Sequence, residues 1–421
     1  MTVERLIERF VKYVSVETTS SFESKTFPST NTQLELARIL KAEMESIGLK
    51  EVVLDDYGYV MGTLPSNIES DIPVIGFIAH MDTSPDMSGK DIKPSIIDYQ
   101  GGKIRINEEK NIYIDPDLYP EMYNYVGERL IVTDGTTLLG ADDKAGVAEI
   151  ITAMEYLISN SQIKHGKIRI AFTPDEEIGK GTEHFSIEKF GADYAYTVDE
   201  GALGELQYET FNAASAEVVV KGLNIHPGSA KGRMKNSLLI ACEFNGMLPS
   251  NEVPAVTEER EGFFHLGSIK GSVEETVLKY IIRDHSKEKF EKKKKLIAEI
   301  SAFLNSKYGE DTVAFNMKDS YYNMKEKIEE EMIVVEIAKK AMESLSIEPR
   351  IEPVRGGTDG AHLSFMGLPT PNIFTGGHNF HGRYEYIPIS SMDKAVTVIV
   401  KIAELFSREG NWKRRKSACE E

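Results

Sequence analysis

Val74-Ile75-Gly76-Phe77-Ile78-Ala79 is a short apolar run that ends in His80-Met81-Asp82, and the same form recurs twice further on. Lys167-Ile168-Arg169-Ile170-Ala171-Phe172 leads into Thr173-Pro174-Asp175-Glu176-Glu177, and Tyr194-Ala195-Tyr196-Thr197-Val198 leads into Asp199-Glu200-Gly201. Runs of this length read as buried strands, each delivering acidic or imidazole side chains at its C-terminal end. Between the first two, Ala145, Val147, Ala148, Ile150, Ile151, Met154 and Leu157 make one broad apolar helical face. Strand, helix, strand in this order predicts βαβ crossovers, and therefore an α/β fold with a mostly parallel central sheet flanked by helices.

Working outward, Leu6, Phe10, Val11 and Val14, and then Leu34, Leu36, Ile39, Leu40 and Met44, have helical spacing and predict two helices packed on that sheet. The texture changes after residue 212. Ala214 to Lys221, Phe263 to Ile269 and Thr276 to Arg283 read as strands, with helices near Asn236 to Met247 and over Lys287 to Lys307. Phe290, Ile297, Ile300 and Leu304 give the second helix its apolar stripe, and the run Lys292 to Lys295 is expected on its solvated face. A smaller α+β domain inserted over 213–322 fits this pattern, with 1–212 and 323–410 forming the larger domain and 411–421 a flexible tail. In the second part, Met332, Val335, Ile337, Ala338 and Met342 predict a helix, Pro371 to Phe374 a strand, and Ala395 to Phe406 a closing helix.

The chain has 421 residues with 67 acids against 49 bases, a formal charge of −18. That sign repels phosphate backbones and anionic membrane surfaces, so neither nucleic acid nor membrane is an expected partner. No apolar run approaches the roughly 20 residues that span a bilayer. Cys242 and Cys419 cannot build a disulfide framework, and the first residues show no charged segment before an apolar one, so a cytoplasmic location is expected.

The chemistry collects at the strand ends. Positions i and i+2 of a strand project to one side, so His80 and Asp82 share a site and both are candidate ligands. Asp142 and Asp143 lie in the Gly-bracketed loop Gly140-Ala141-Asp142-Asp143-Lys144-Ala145-Gly146 just before a helix. A helix N-terminus favours one such anion by about 0.3 to 1 kcal/mol, whereas a dication favours the adjacent pair by much more. Asp175-Glu176-Glu177, Asp199-Glu200 and Gly376-Gly377-His378-Asn379-Phe380-His381-Gly382 add further oxygen and imidazole donors. Imidazole mixed with carboxylate suits zinc or another first-row dication, and the donor set is large enough for two ions sharing a bridging carboxylate. Such a pair activates water against an amide carbonyl, with adjacent acids such as Glu176 and Glu177 dividing into base and ligand.

His80-Met81-Asp82, Gly140 to Gly146, Asp175-Glu176-Glu177-Ile178-Gly179, Val198-Asp199, His226-Pro227-Gly228, Arg355-Gly356-Gly357-Thr358-Asp359-Gly360 and His381-Gly382 together resemble the two-zinc metallopeptidase family that includes aminoacylases and glutamate carboxypeptidases. Ile281 to Asp284, Asp319 to Met324 and Leu363 to Gly367 resemble, within it, the tripeptide aminopeptidase subgroup. The likeness runs from near residue 1 to about residue 408.

It implies a dizinc aminopeptidase of peptide catabolism that removes the N-terminal residue from tripeptides, with a related dizinc amidohydrolase or dipeptidase as the alternative. Residues 1–212 and 323–410 then form the catalytic domain, and 213–322 the lid and dimerisation domain of a homodimer. By the resemblance, two Zn²⁺ bind per subunit: His80 and Asp199 hold one, Glu177 and His381 the other, and Asp142 bridges them. Glu176 is the general base. Asp82 orients His80 from behind, replacing the ligand role that spacing alone allowed. His226 resembles the lid histidine that reaches the partner subunit's active site and stabilises the oxyanion. Asn251, Arg283 and Arg355 are candidate substrate contacts, Arg283 being best suited to fork a carboxylate. His362 and His378 are given no role.

Overall fold

Leu6, Ile7, Phe10, Tyr13 and Val14 are all buried, which is why the segment Val3–Val14 folds as a helix laid against the rest of the chain. Leu36, Ala37, Leu40 and Met44 do the same for the helix Gln33–Ile47, which a left-handed Gly48 ends. The computed structural model describes residues 3–70 and 72–408, so the tail with Trp412 and Cys419 lies outside the described residues. The chain divides into two units. One comprises residues up to 208, 327–352 and from 358 onward, and the other 209–326 with 353–357.

The first unit is built on an eight-stranded sheet in the spatial order Lys50–Leu54, Val60–Leu64, Ile168–Thr173, Ile75–His80, Tyr194–Val198, Asn372–Ile373, Glu205–Gln207, Arg350–Ile351. Its centre is parallel: Ile75–His80 lies between Ile168–Thr173 and Tyr194–Val198, and Tyr194–Val198 pairs in parallel with Asn372–Ile373. The register sets His80 opposite Thr173, and Val198 opposite Ile373. Four strand ends therefore finish along one edge, where ligands bind in open α/β sheets. The three apolar runs are buried at every position from 75 to 80, 168 to 173 and 194 to 198, as strands covered on both faces require.

The helix Ala141–Ser159 packs across the sheet with Ala145, Val147, Ala148, Ile150, Ile151, Met154 and Leu157 buried. Gly146 is needed there, because a Cβ on it would lie 2.0 Å from the Val198 carbonyl oxygen. Each large apolar side chain so buried contributes about 1.5 to 3 kcal/mol. A three-stranded sheet, in which Arg129–Val132 pairs with Ser95–Asp98 and with Tyr386–Pro388, was not expected from the sequence.

The second unit is a four-stranded antiparallel sheet in the order Phe263–Gly271, Glu275–Asp284, Asn212–Lys221, Val313–Tyr321. The helices Ser237–Gly246 and Lys287–Tyr308 contribute Ile240, Phe244, Phe290, Ile297, Ile300 and Leu304 to a core with Val218, Val220, Leu278 and Ile282 of the sheet. One expectation fails here. Lys293 is buried rather than solvated, because it lies three residues after Phe290 and four before Ile297 on the same stripe. Its ammonium pairs with Glu252 and stands 3.5 Å from Asp284 and 5.4 Å from the centre of the Phe264 ring.

Candidate metal centre and active site

His80 ends its strand with the ring buried, and its Nε2 lies 2.9 Å from Asp142 Oδ1 and 3.7 Å from Asp199 Oδ1. His381, held in a left-handed conformation in its loop, has Nε2 at 2.9 Å from Asp142 Oδ2 and 3.0 Å from Glu177 Oε2. The two oxygens of Asp142 thus face two different imidazoles. Glu176 Oε2 stands 3.9 Å from His80 Nε2, and Glu200 Oε1 4.0 Å from His381 Nε2. His80, Asp142 and Glu177 form one close triplet of donor atoms, His80, Asp143 and Asp199 a second, and Asp142, Glu200 and His381 a third.

Both rings are steered from their other nitrogen. Asp82 Oδ1 lies 3.3 Å from His80 Nδ1, and Asp86 Oδ2 lies 3.3 Å from His381 Nδ1. A carboxylate behind each imidazole fixes the ring's orientation, and would keep the remaining proton on Nδ1 once a metal ion took the place of the proton on Nε2. The Asp82 carboxylate also accepts the backbone N–H groups of Glu176 and Glu177, at 3.0 and 3.2 Å, so it fixes the loop carrying both acids.

The neighbouring acids divide by direction. Asp175, in a left-handed conformation, turns inward, where it accepts from the Ser29 N–H and hydroxyl and from the Gln33 amide. Asp143 accepts the His80 N–H at 3.0 Å. Asp359 accepts from the Thr173 hydroxyl at 2.9 Å, and Gly181 makes room for it, since a Cβ there would lie 2.3 Å from an Asp359 oxygen.

The electrostatics follow from crowding. Burial would lower the His80 pKa, but Asp199, Asp142 and Asp82 raise it well above the imidazole range, and His381 is raised to about 12 against its burial by Asp142 and Glu177. Burial would raise Asp142, yet the two imidazoles hold it well below the carboxylate range. Burial, aided by neighbouring acids, pushes Glu176 and Asp199 well up and Glu177 to about 8. Among the described residues, Glu177 Oε1, Asp199 Oδ1 and Asp143 Oδ1 are buried without a hydrogen-bond donor. Buried, mutually repelling oxygens beside two aligned imidazoles fit a pair of dications.

The structure brings His80, Asp82, Asp142, Glu176, Glu177, Asp199 and His381 together within the first unit. His226, Asn251, Arg283 and Arg355 belong to the second. His226 is exposed and caps a short turn, its Nδ1 accepting the Gly228 N–H at 3.2 Å, and Asn251 is also exposed. Arg283 Nη1 donates to the Arg355 carbonyl at 3.1 Å. The Arg355 guanidinium holds the 257–261 loop by donating to the Glu259 and Glu261 carbonyls and the Thr257 hydroxyl, over the Phe211 and Phe263 rings. His378 is not among the donors: its Nε2 meets the Tyr125 hydroxyl at 2.7 Å and its ring stacks on Tyr386. His362 lies on the short helix Asp359–Phe365, in none of the three donor groups found among the described residues. Asp86 was not among the residues expected at the site, because it follows Asp82 by four residues and is distinguished by no motif.

The sequence model described as Peptidase family M20/M25/M40 matches residues 133–405. Over 404 residues the chain is 60% identical to a protein named peptidase T from Halothermothrix orenii, covering 96% of this chain and 99% of that one. It is 58% identical over 409 residues to another of that name from Caldanaerobacter subterraneus, covering 97% and 100%. The crystal structure of aminopeptidase PepT from Bacillus cereus is similar with a TM-score of 0.78 and 25% identity, over 97% of this chain and 100% of that one. The fold is also shared with Bacillus subtilis YXEP, described as a dinuclear metal binding peptidase, at a TM-score of 0.65 and 14% identity over 96% and 98% of the two chains.

Proposed function

From the premise that this chain belongs to peptidase family M20/M25/M40, we propose that it is a dizinc aminopeptidase that removes the N-terminal residue from tripeptides. His80 and Asp199 would hold one ion, Glu177 and His381 the other, and Asp142 would bridge them. The observation that carries this reading is the pair of 2.9 Å contacts that direct one Asp142 oxygen to each histidine. The names of the relatives support aminopeptidase action.

When bound, two dications would polarise the scissile carbonyl and lower the pKa of water toward about 7. The remaining work falls to side chains. Glu176 stands beside His80 outside the bridging contacts, and its raised pKa suits a group that takes a proton from the attacking water and hands it to the leaving amine. Asp82 holds both the His80 ring and the Glu176 backbone, so the base and one ligand share a single support. Asp86 plays the matching part for His381.

The proposal extends to the smaller unit, as a lid and dimerisation module of a homodimer in which His226, Asn251 and Arg283 read the substrate. Arg355 enters it through Arg283, which donates to its carbonyl. The charge of −18 supports peptides over nucleic acid as partners, and no helix among the described residues is long and apolar enough to cross a membrane. A cytoplasmic location completes the proposal.

The test is a panel of di-, tri- and tetrapeptides, each with free and acetylated N-termini, assayed with added Zn²⁺ and with chelator. Tripeptides with free amines should be cleaved and the others poorly, with activity lost on chelation. Preference for dipeptides or for acylated amines would instead select a dipeptidase or amidohydrolase.

A further inference from the structure

Glu385 has had no place in the chemistry so far, yet it is 1% exposed and makes four hydrogen bonds to consecutive backbone groups. Its Oε2 accepts from the N–H groups of Leu139 and Gly140, at 2.6 and 3.0 Å. Its Oε1 accepts from those of Ala141 and Asp142, at 2.7 and 3.3 Å. These N–H groups precede or open the helix Ala141–Ser159, where donors have no intrahelical acceptor. Asp142 and Asp143 depart from helical geometry there, with φ/ψ of −83/105 and −122/29, so the helix itself does not hold them.

The carboxylate that binds the Asp142 N–H arises four residues after His381. The loop between is closed at its neck, because His378 and Tyr386 exchange N–H and carbonyl bonds at 2.9 and 3.1 Å. Tyr386 also pairs with Val132, on the strand that leads into residues 139–142. Two connections therefore join the same two loops: Glu385 to the backbone of 139–142, and His381 Nε2 to the side chain of Asp142.

We propose that Glu385 is a positioning residue, a clamp that sets Asp142 against His381 before any metal arrives and so fixes the site shared by Asp142, Glu177 and His381. The proposal rests on the metal-site reading above. An ordinary helix cap would satisfy donors without favouring one ion. A clamp on this pair should affect the ion held by His381 more than the one held by His80, whose ring is fixed by its own strand and by Asp82.

Glu385→Gln keeps the size of the side chain but puts an NH₂ group against two N–H donors. Metal-free protein would be titrated with Zn²⁺ against a competing chelator. The weaker-held ion of the variant should bind 10- to 100-fold less tightly, the usual range for loss of a supporting partner, with the other ion changed by less than threefold. Unchanged affinities, or equal losses at both sites, would overturn the clamp. Amide exchange of metal-free wild-type protein tests it without any variant. The amides of residues 139–142 should be as protected as the interior of the following helix, and rapid exchange there would overturn the proposal even if Glu385→Gln failed to fold. Wild-type protein binding fewer than two Zn²⁺ would refute the dizinc reading, while the exchange result would still decide whether Glu385 holds the loop.

Discussion

Glu176→Gln separates the proposed proton carrier from the proposed ligands, since it replaces a carboxylate with an amide of the same shape. Proton transfer by a positioned side chain contributes about 10²- to 10⁴-fold, so kcat for a free tripeptide should fall by that factor, a barrier increase of roughly 3 to 5 kcal/mol. KM should change little. Metal content measured by atomic emission should stay at two ions per chain, because neither 2.9 Å contact of Asp142 involves Glu176.

Stability should move the other way from activity. Burial and repulsion from Asp359, Asp199 and Glu177 raise the Glu176 pKa, so above the ordinary carboxylate range the folded state holds a proton that the unfolded state has lost. Stability is therefore given up as pH rises through that window. Metal-free Glu176→Gln should accordingly be no less stable than wild type to urea at pH 7. Loss of a metal ion would mean that Glu176 and Glu177 have exchanged roles, and kcat within tenfold of wild type would refute the assignment of the base.

The other predictions concern the smaller unit and a buried imidazole. His226→Ala should lower kcat by about 10²-fold or more, the scale of one oxyanion donor, without loss of metal. Mixing it with Glu176→Gln should restore activity through hybrid dimers, and no recovery after subunit exchange would sink a role across the dimer. Amidating the C-terminus of a good tripeptide, or making Arg283→Ala, should raise KM by several fold to about a hundredfold, consistent with a charge-assisted bond of roughly 1.5 to 3 kcal/mol. The two changes together should add little, and equal hydrolysis of free and amidated peptides would give Arg283 another task. Burial, with Arg350 nearby, lowers the His378 pKa to about 4. Between that value and about 6.5 the unfolded state binds the extra proton, so stability falls as pH drops through the window, by up to roughly 3 kcal/mol. On urea unfolding, metal-free His378→Gln should lose about 2 kcal/mol less stability from pH 7 to pH 4.5 than wild type, and parallel losses would show that His378 titrates normally.

The fold was legible where one physical signal dominated. Continuous burial marks Ile75–His80, Ile168–Thr173 and Tyr194–Val198 in the sequence as plainly as in the structure, and the acids that follow mark the functional edge. What stayed hidden depends on direction or distance along the chain. Asp175, Glu176 and Glu177 look alike in sequence, and only the left-handed backbone at Asp175 turns it away toward Ser29 and Gln33. Lys293 belongs to a basic run, but its position on the apolar stripe and the acids Glu252 and Asp284 bury it. Glu385 meets its donors across more than 240 residues, a pairing that no local pattern announces.

The central claim is that Asp142 bridges two metal ions, and anomalous diffraction from Zn²⁺-loaded crystals at the zinc edge tests it most directly. Two peaks about 3.5 to 4 Å apart are predicted, one beside His80 and Asp199 and the other beside Glu177 and His381, with one Asp142 oxygen bound to each. A single peak, or two peaks without Asp142 between them, would contradict the account.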